Sequence, residues 1–228
     1  MIHAFNQKNV RRLLVRSRAE HGLEKTEDAV TSMVFSPLDF MSAADALEAL
    51  CTVTLHDRVE LSGRRLLRHD LQLWPSGLTA KAWNDDGHSR CEPDLLAKFE
   101  FADGPDLVFI GEMKWDWRMP KDALAAELRR EREAVRRLHP RADLVLFVIS
   151  KHRLPTTVAG ASTATWTDVA GRLLASERSA LPSAVSRWAG LVRTFLKKAD
   201  QTAFSGLPTP PPVRPAWLTR PIFRRILE

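Results

Sequence analysis

Residues 107–149 read LVFIGEMKWDWRMPKDALAAELRREREAVRRLHPRADLVLFVI, and this stretch decides the fold. The apolar run Leu107-Val108-Phe109-Ile110 leads into Glu112-Met113-Lys114. After Pro120 a helical pattern runs over Lys121–Leu138, with an apolar stripe of Ala123, Leu124, Leu128, Val135 and Leu138. His139-Pro140 ends that helix, and Leu144–Ile149 is apolar enough to be buried on both sides. Strand, helix and buried strand in succession imply a parallel crossover. The chain is therefore expected to be α/β, with a mixed central sheet flanked by helices.

Upstream, Glu92-Pro93-Asp94 opens a segment joined to the first by Ala102-Asp103-Gly104-Pro105, a strong turn signal. With a three-residue loop Ala102-Asp103-Gly104 and Gly104 left-handed, Phe101 faces Pro105, and counting back sets Asp94 against Glu112. A two-residue loop would shift the register by one and send Asp94 to the other face. Glu112 and Lys114 are i and i+2, so on a strand they share a face. Two carboxylates this close repel unless a proton or a divalent cation sits between them. Asp and Glu oxygens suit Mg²⁺, which keeps several waters and completes its shell with substrate phosphate. Lys114 beside them would orient an attacking water or stabilise charge on phosphorus-bound oxygens. This is the inventory of metal-assisted phosphodiester hydrolysis, with Asp94, Glu112 and Lys114 as catalytic residues and Mg²⁺ as cofactor, for which Mn²⁺ would substitute. The plain alternative is that these charges are solvated strand ends.

Pro93-Asp94, followed by Glu112-Met113-Lys114 at the end of a hydrophobic strand, resembles the PD-(D/E)XK nuclease superfamily over roughly Glu27 to Ile149. The resemblance implies a restriction-endonuclease-like core, metal bound by Asp94 and Glu112, and Lys114 serving the nucleophilic water. It also implies in-line hydrolysis leaving a 5′-phosphate. Many members add an acidic residue from an early helix, and Glu27 in Thr26-Glu27-Asp28-Ala29-Val30-Thr31 is the best match, as a third metal ligand. Its competing reading is an anion in the first turn of a helix capped by Thr26, a role that Asp28 fits. Members often place a polar residue on the helix after the Glu-x-Lys strand; Glu127 and Glu131 are the local candidates, neither a clear match. The family association extends to restriction or anti-phage defence and to homodimers or larger defence complexes. The rival class is a catalytically silent nucleic-acid-binding or assembly subunit that keeps the fold.

Composition agrees with a polyanionic partner. Lys plus Arg number 34 against 28 acids, and 25 of the 34 are Arg, the better bidentate phosphate ligand. Arg bias also follows from GC-rich coding, and nothing separates RNA from DNA readers, although DNA is the preferred expectation. Arg118 and Lys121 are candidates for phosphate contact. Arg130, with Arg129 and Arg136, offers a further contact, against a default in which Glu127, Glu131 and Glu133 pair with the helix arginines. Trp115 and Trp117 read as buried scaffold before base-stacking platforms, and Asp116 as an extra ligand if the strand continues. Cys51 and Cys91 form no zinc spacing. Without a signal peptide or an apolar stretch of about eighteen residues, the chain is expected in the cytoplasm and not in a membrane.

Elsewhere, Asn9–Glu20 has helical spacing with a basic face, closed by Gly22. Ser42 caps a second short helix, Thr52–Leu55 reads as a short strand, and Leu66–Trp74 and Thr79–Trp83 as strands joined at Pro75-Ser76-Gly77. A turn at Asp85-Asp86-Gly87 precedes Asp94, and Lys151, His152 and Arg153 follow the buried strand. Thr156–Thr163 reads as flexible, and Trp166–Leu174 and Ala184–Lys197 as extra C-terminal helices, Pro182 opening the second. One nuclease-like domain is expected over 1–200, with a proline-rich arm or tail over 201–228.

Overall fold

The computed structural model describes residues 27–55, 63–79, 91–115, 120–155, 157–177, 183–198 and Gln201. Its elements are α1 (Glu27–Phe35), a 3-10 turn (Ser36–Phe40), α2 (Ala43–Thr54), β1 (Leu66–Leu73), β2 (Leu95–Phe101) and β3 (Leu107–Lys114). After these come α3 (Lys121–Leu138), β4 (Asp143–Ser150), β5 (Thr157–Val158), β6 (Ala161–Thr165), α4 (Trp166–Glu177) and α5 (Ala184–Lys198). The basic helix expected over Asn9–Glu20 with Gly22, the Thr26 cap and the strand Thr79–Trp83 beyond its first residue lie outside the described residues. So do the Asp85–Gly87 turn, Asp116, Trp117, Arg118, Pro182 and the proline-rich tail from 202 onward. Among the described residues no helix is long and apolar enough to cross a membrane.

The architecture is α/β around one six-stranded mixed sheet in the order β1-β2-β3-β4-β6-β5. β1, β2 and β3 form an antiparallel meander, β4 lies parallel to β3, and β6 parallel to β4. The crossover expected between β3 and β4 is present, with α3 as its helix. β3 sits inside the sheet with helices over both faces, so all eight of its residues are buried. Its odd-numbered apolar side chains, Leu107, Phe109 and Met113, join one core with α1, α2, α4 and α5. Val108 and Ile110 join a second core under α3 with Leu124, Leu128 and Val135. Each fully buried side chain of this size contributes roughly 1.5–3 kcal/mol. The meander and its two cores hold the Glu112–Lys114 end of β3 in a fixed place.

The β2–β3 register is the one that the expected three-residue loop requires. Gly104 has φ +89°, a left-handed conformation that costs glycine little. The ladder pairs Leu95 with Gly111 and Phe99 with Leu107. Carried one residue further, that register sets Asp94 against Glu112. Ser42 caps α2 as expected: its hydroxyl accepts from the Asp45 amide at 3.2 Å and donates to the Asp45 carboxylate at 2.7 Å. Such a cap contributes about 1 kcal/mol.

Three expectations need correction. Thr52–Leu55 is not a strand; α2 runs through Thr54. The Thr52 and Thr54 hydroxyls donate back to the carbonyls of Glu48 and Leu50, and Cys51 and Val53 are buried in the core. Burial has overridden β-branched propensity. Thr157–Thr163 is not loose either: β5 and β6 form a hairpin at the sheet edge around Ala159-Gly160, with Thr156 outside the described residues. Both turn residues have positive φ, +52° and +82°, the two-residue geometry that matches strand twist. Finally, Ala123 and Leu138 at the ends of α3 are exposed, and Glu131 and Ala134 take places on its buried face.

Candidate active site

Four elements converge where β3 ends. β2 begins just after Asp94, β3 carries Glu112 and Lys114, the first turn of α1 brings Glu27, and α3 brings Glu127 and Glu131. Glu127 and Glu131 are four residues apart, hence on one helix face. Asp94, Glu112, Lys114 and Glu131 are buried, at 6%, 3%, 8% and 1% exposure, which for charged groups demands partners.

Asp94 is fixed at both oxygens. The Trp74 indole N–H donates to Oδ1 at 2.9 Å, and the Met113 amide donates to Oδ2 at 2.8 Å. Glu27 is fixed at one oxygen, its Oε2 accepting from the Trp115 amide at 2.9 Å. Lys114 donates to Glu112 Oε1 and lies 3.8 Å from Glu27 Oε1 and 3.9 Å from Glu127 Oε2. The Glu112, Glu127 and Glu131 carboxylates each have an oxygen within 4.8 Å of the others.

The electrostatics follow from that crowding. Burial, reinforced by the charge of Glu27, pushes Asp94 up to about 7 against the opposing Met113 amide, Lys114 and Trp74. Burial, with Glu127 and Asp94 nearby, pushes Glu131 up to about 8. Glu112 is raised well above the ordinary carboxylate range by burial and by the charges of Asp94 and Glu131. Glu27 is also raised by burial, against the pull of Lys114. For Lys114, burial works downward, but Glu112, Glu127 and Glu27 together carry it above its ordinary value.

Among the described residues, Glu112, Glu127 and Glu131 fit a divalent cation. Glu112 Oε2, Glu127 Oε2 and both oxygens of Glu131 are buried with no hydrogen-bond donor. Hard carboxylate oxygens left in this state are ligands for a hard divalent cation. Lys114 lies buried beside them, bonded to Glu112.

Of the residues expected from sequence, Asp94, Glu112, Lys114 and Glu27 come together. Arg118 lies outside the described residues, as does the side chain of Lys121 at the start of α3. Arg130 is half-buried on α3, and Arg129 is exposed. The acids of α3 divide between two faces. Glu133 pairs with Arg137, whereas Glu127 and Glu131 turn to the sheet. Trp115 is buried against Trp166, ring centroids 6.0 Å apart, as scaffold. His152 is exposed, as expected of a surface residue.

Sequence reading missed Trp74 as the partner of Asp94; its signal was its place at the end of β1, next to the start of β2. No protein-family model matches the chain, and neither a curated protein nor a solved structure matches it.

Proposed function

We propose that this chain is a Mg²⁺-dependent nuclease of the PD-(D/E)XK kind, hydrolysing phosphodiester bonds in nucleic acid, with DNA as substrate. The observation that carries the reading is the register of β2 on β3. It sets Asp94 against Glu112, with Lys114 two residues on along the same face. This is the arrangement the sequence resemblance requires, and a one-residue slip would destroy it.

Asp94 and Glu112, with Glu27, would hold the ion. When bound, the cation supplies Lewis-acid polarisation of the scissile phosphate and neutralises charge that develops on it. The protein's own work is positioning. Trp74 and the Met113 amide lock the Asp94 carboxylate, and the Trp115 amide locks Glu27. Lys114, held by Glu112, orients the attacking water in line with the leaving oxygen and stabilises the phosphoryl oxygens. The basic excess of the chain favours a polyanion. The setting we favour is restriction or anti-phage defence in the cytoplasm, with a second copy supplying the cut on the other strand.

The test is cleavage of supercoiled and single-stranded DNA with Mg²⁺ or Mn²⁺, comparing wild type, Lys114→Ala and Asp94→Asn. Cutting by wild type and none by the folded variants supports the reading. Salt-sensitive DNA binding without cutting in every metal would replace it with a silent binding or assembly subunit.

A further inference from the structure

Five carboxylates (Glu27, Asp94, Glu112, Glu127 and Glu131) gather about Lys114. Five negative charges against that ammonium leave an excess of four when all are ionised. A single divalent ion on Asp94, Glu112 and Glu27 would balance only half of it. The remainder lies on the α3 side, at Glu127 and Glu131, which the Asp94, Glu112 and Glu27 ligand set does not include.

Glu131 is the decisive group. It is 1% exposed, neither of its oxygens has a donor, and it faces the carboxylates of Glu112 and Glu127. A proton shared between two of these acids would satisfy two of the four donor-less oxygens and cancel one charge. A partly hydrated divalent cation would satisfy several at once and cancel two charges. We infer that Glu112, Glu127 and Glu131 form a second divalent-cation site, separate from the Asp94 side and bridged to it by Glu112. The inference rests on the nuclease reading only in sharing Glu112 with it.

The test is titration of the whole chain with Mn²⁺ in the absence of nucleic acid, with free Mn²⁺ read by electron paramagnetic resonance. Wild type is compared with Asp94→Asn and with Glu127→Gln/Glu131→Gln, whose uncharged amides keep the side-chain shapes. Glu131→Gln alone serves if the double variant fails to fold. The expected result is that either change halves the Mn²⁺ bound at saturation. If wild type binds one ion that the glutamine variant keeps and Asp94→Asn loses, the second site is overturned while the nuclease metal stands. One ion lost by the glutamine variant but kept by Asp94→Asn supports the α3 site and overturns the Asp94 ligand set. One ion lost in both variants overturns two separate sites, and no Mn²⁺ binding in wild type overturns both readings.

Discussion

Gly111 leaves no room for a side chain between β3 and β4, and Gly111→Ala tests how rigidly the site strand is held. Gly111 and Phe147 are ladder partners, and a Cβ at 111 would meet the Phe147 ring at 2.4 Å from Cζ and 2.9 Å from both Cε atoms. Carbon atoms rest at about 3.5–4.0 Å, so the ring must retreat by more than about an ångström. It has little room, being 2% exposed with Phe35 packed at a centroid distance of 6.4 Å. Overpacking of this kind costs about 1–3 kcal/mol, and the lower chain entropy of alanine in the unfolded state returns about 0.5–1 kcal/mol. The net expectation is a loss of about 1–2 kcal/mol, read from urea denaturation, or a fall in Tm of about 2–4 °C per kcal/mol. Phe147→Leu, which removes the ring, should relieve the clash. A double-mutant cycle should therefore show a favourable coupling of about 1 kcal/mol between the two changes. Stability of Gly111→Ala within about 0.3 kcal/mol of wild type, or no coupling to Phe147→Leu, would refute the packing account.

Three further outcomes follow from the site and its surroundings. In metal-free protein, Glu131 stands at about 8 when folded against an ordinary 4.5, so the folded state holds the proton more tightly. Stability should fall as pH rises through that window, and Glu131→Gln should flatten the fall and raise Tm at its alkaline end in chelator. Lys114→Met leaves Glu112, Glu27 and Glu127 facing one another and should cost on the order of 3 kcal/mol at mildly alkaline pH. The cost should shrink at mildly acidic pH, where the carboxyls take up protons, as equilibrium denaturation at two pH values would reveal. At the start of α4, Asp168 Oδ2 accepts from the Thr165 amide at 2.9 Å and hydroxyl at 2.8 Å, and the Thr165 hydroxyl accepts from the Asp168 amide at 3.0 Å. Burial works against the Asp168 charge, but these bonds outweigh it and hold the carboxyl below its ordinary 3.8. Asp168→Ala should cost about 1 kcal/mol near neutrality, a difference that disappears as pH falls through the Asp168 pKa.

The β3–α3–β4 unit was legible because its signals are local and agree. An apolar run, a proline before a long amphipathic helix and a second apolar run leave few alternatives. The Asp94–Glu112 register was legible because one glycine-bearing turn determines it. Glu131 was harder to read. It falls seven residues after Leu124, three after Leu128 and four before Val135, on the apolar stripe itself. Its i,i+4 spacing to Val135 and its arginine neighbours favoured opposite readings, and only the depth of the sheet behind α3 separates them. The β5–β6 hairpin was hidden because its turn is Ala159-Gly160, without the Asn or Asp that usually marks two left-handed residues. Trp74 escaped because the contact it makes is across twenty residues of chain and has no periodic signature.

Alternate amides of a strand point to the same side, and at the end of β3 the amides of Met113 and of Trp115, the residue just after it, extend past the last paired residue of β2. Where a neighbouring strand would supply carbonyls, Asp94 and Glu27 supply carboxylates. These two N–H groups are thus wired directly to the acids of the site. Their proton chemical shifts and exchange rates should change with every gain or loss of charge there. The backbone of β3 would then act as its own electrometer, reporting the state of the site without any substrate being turned over.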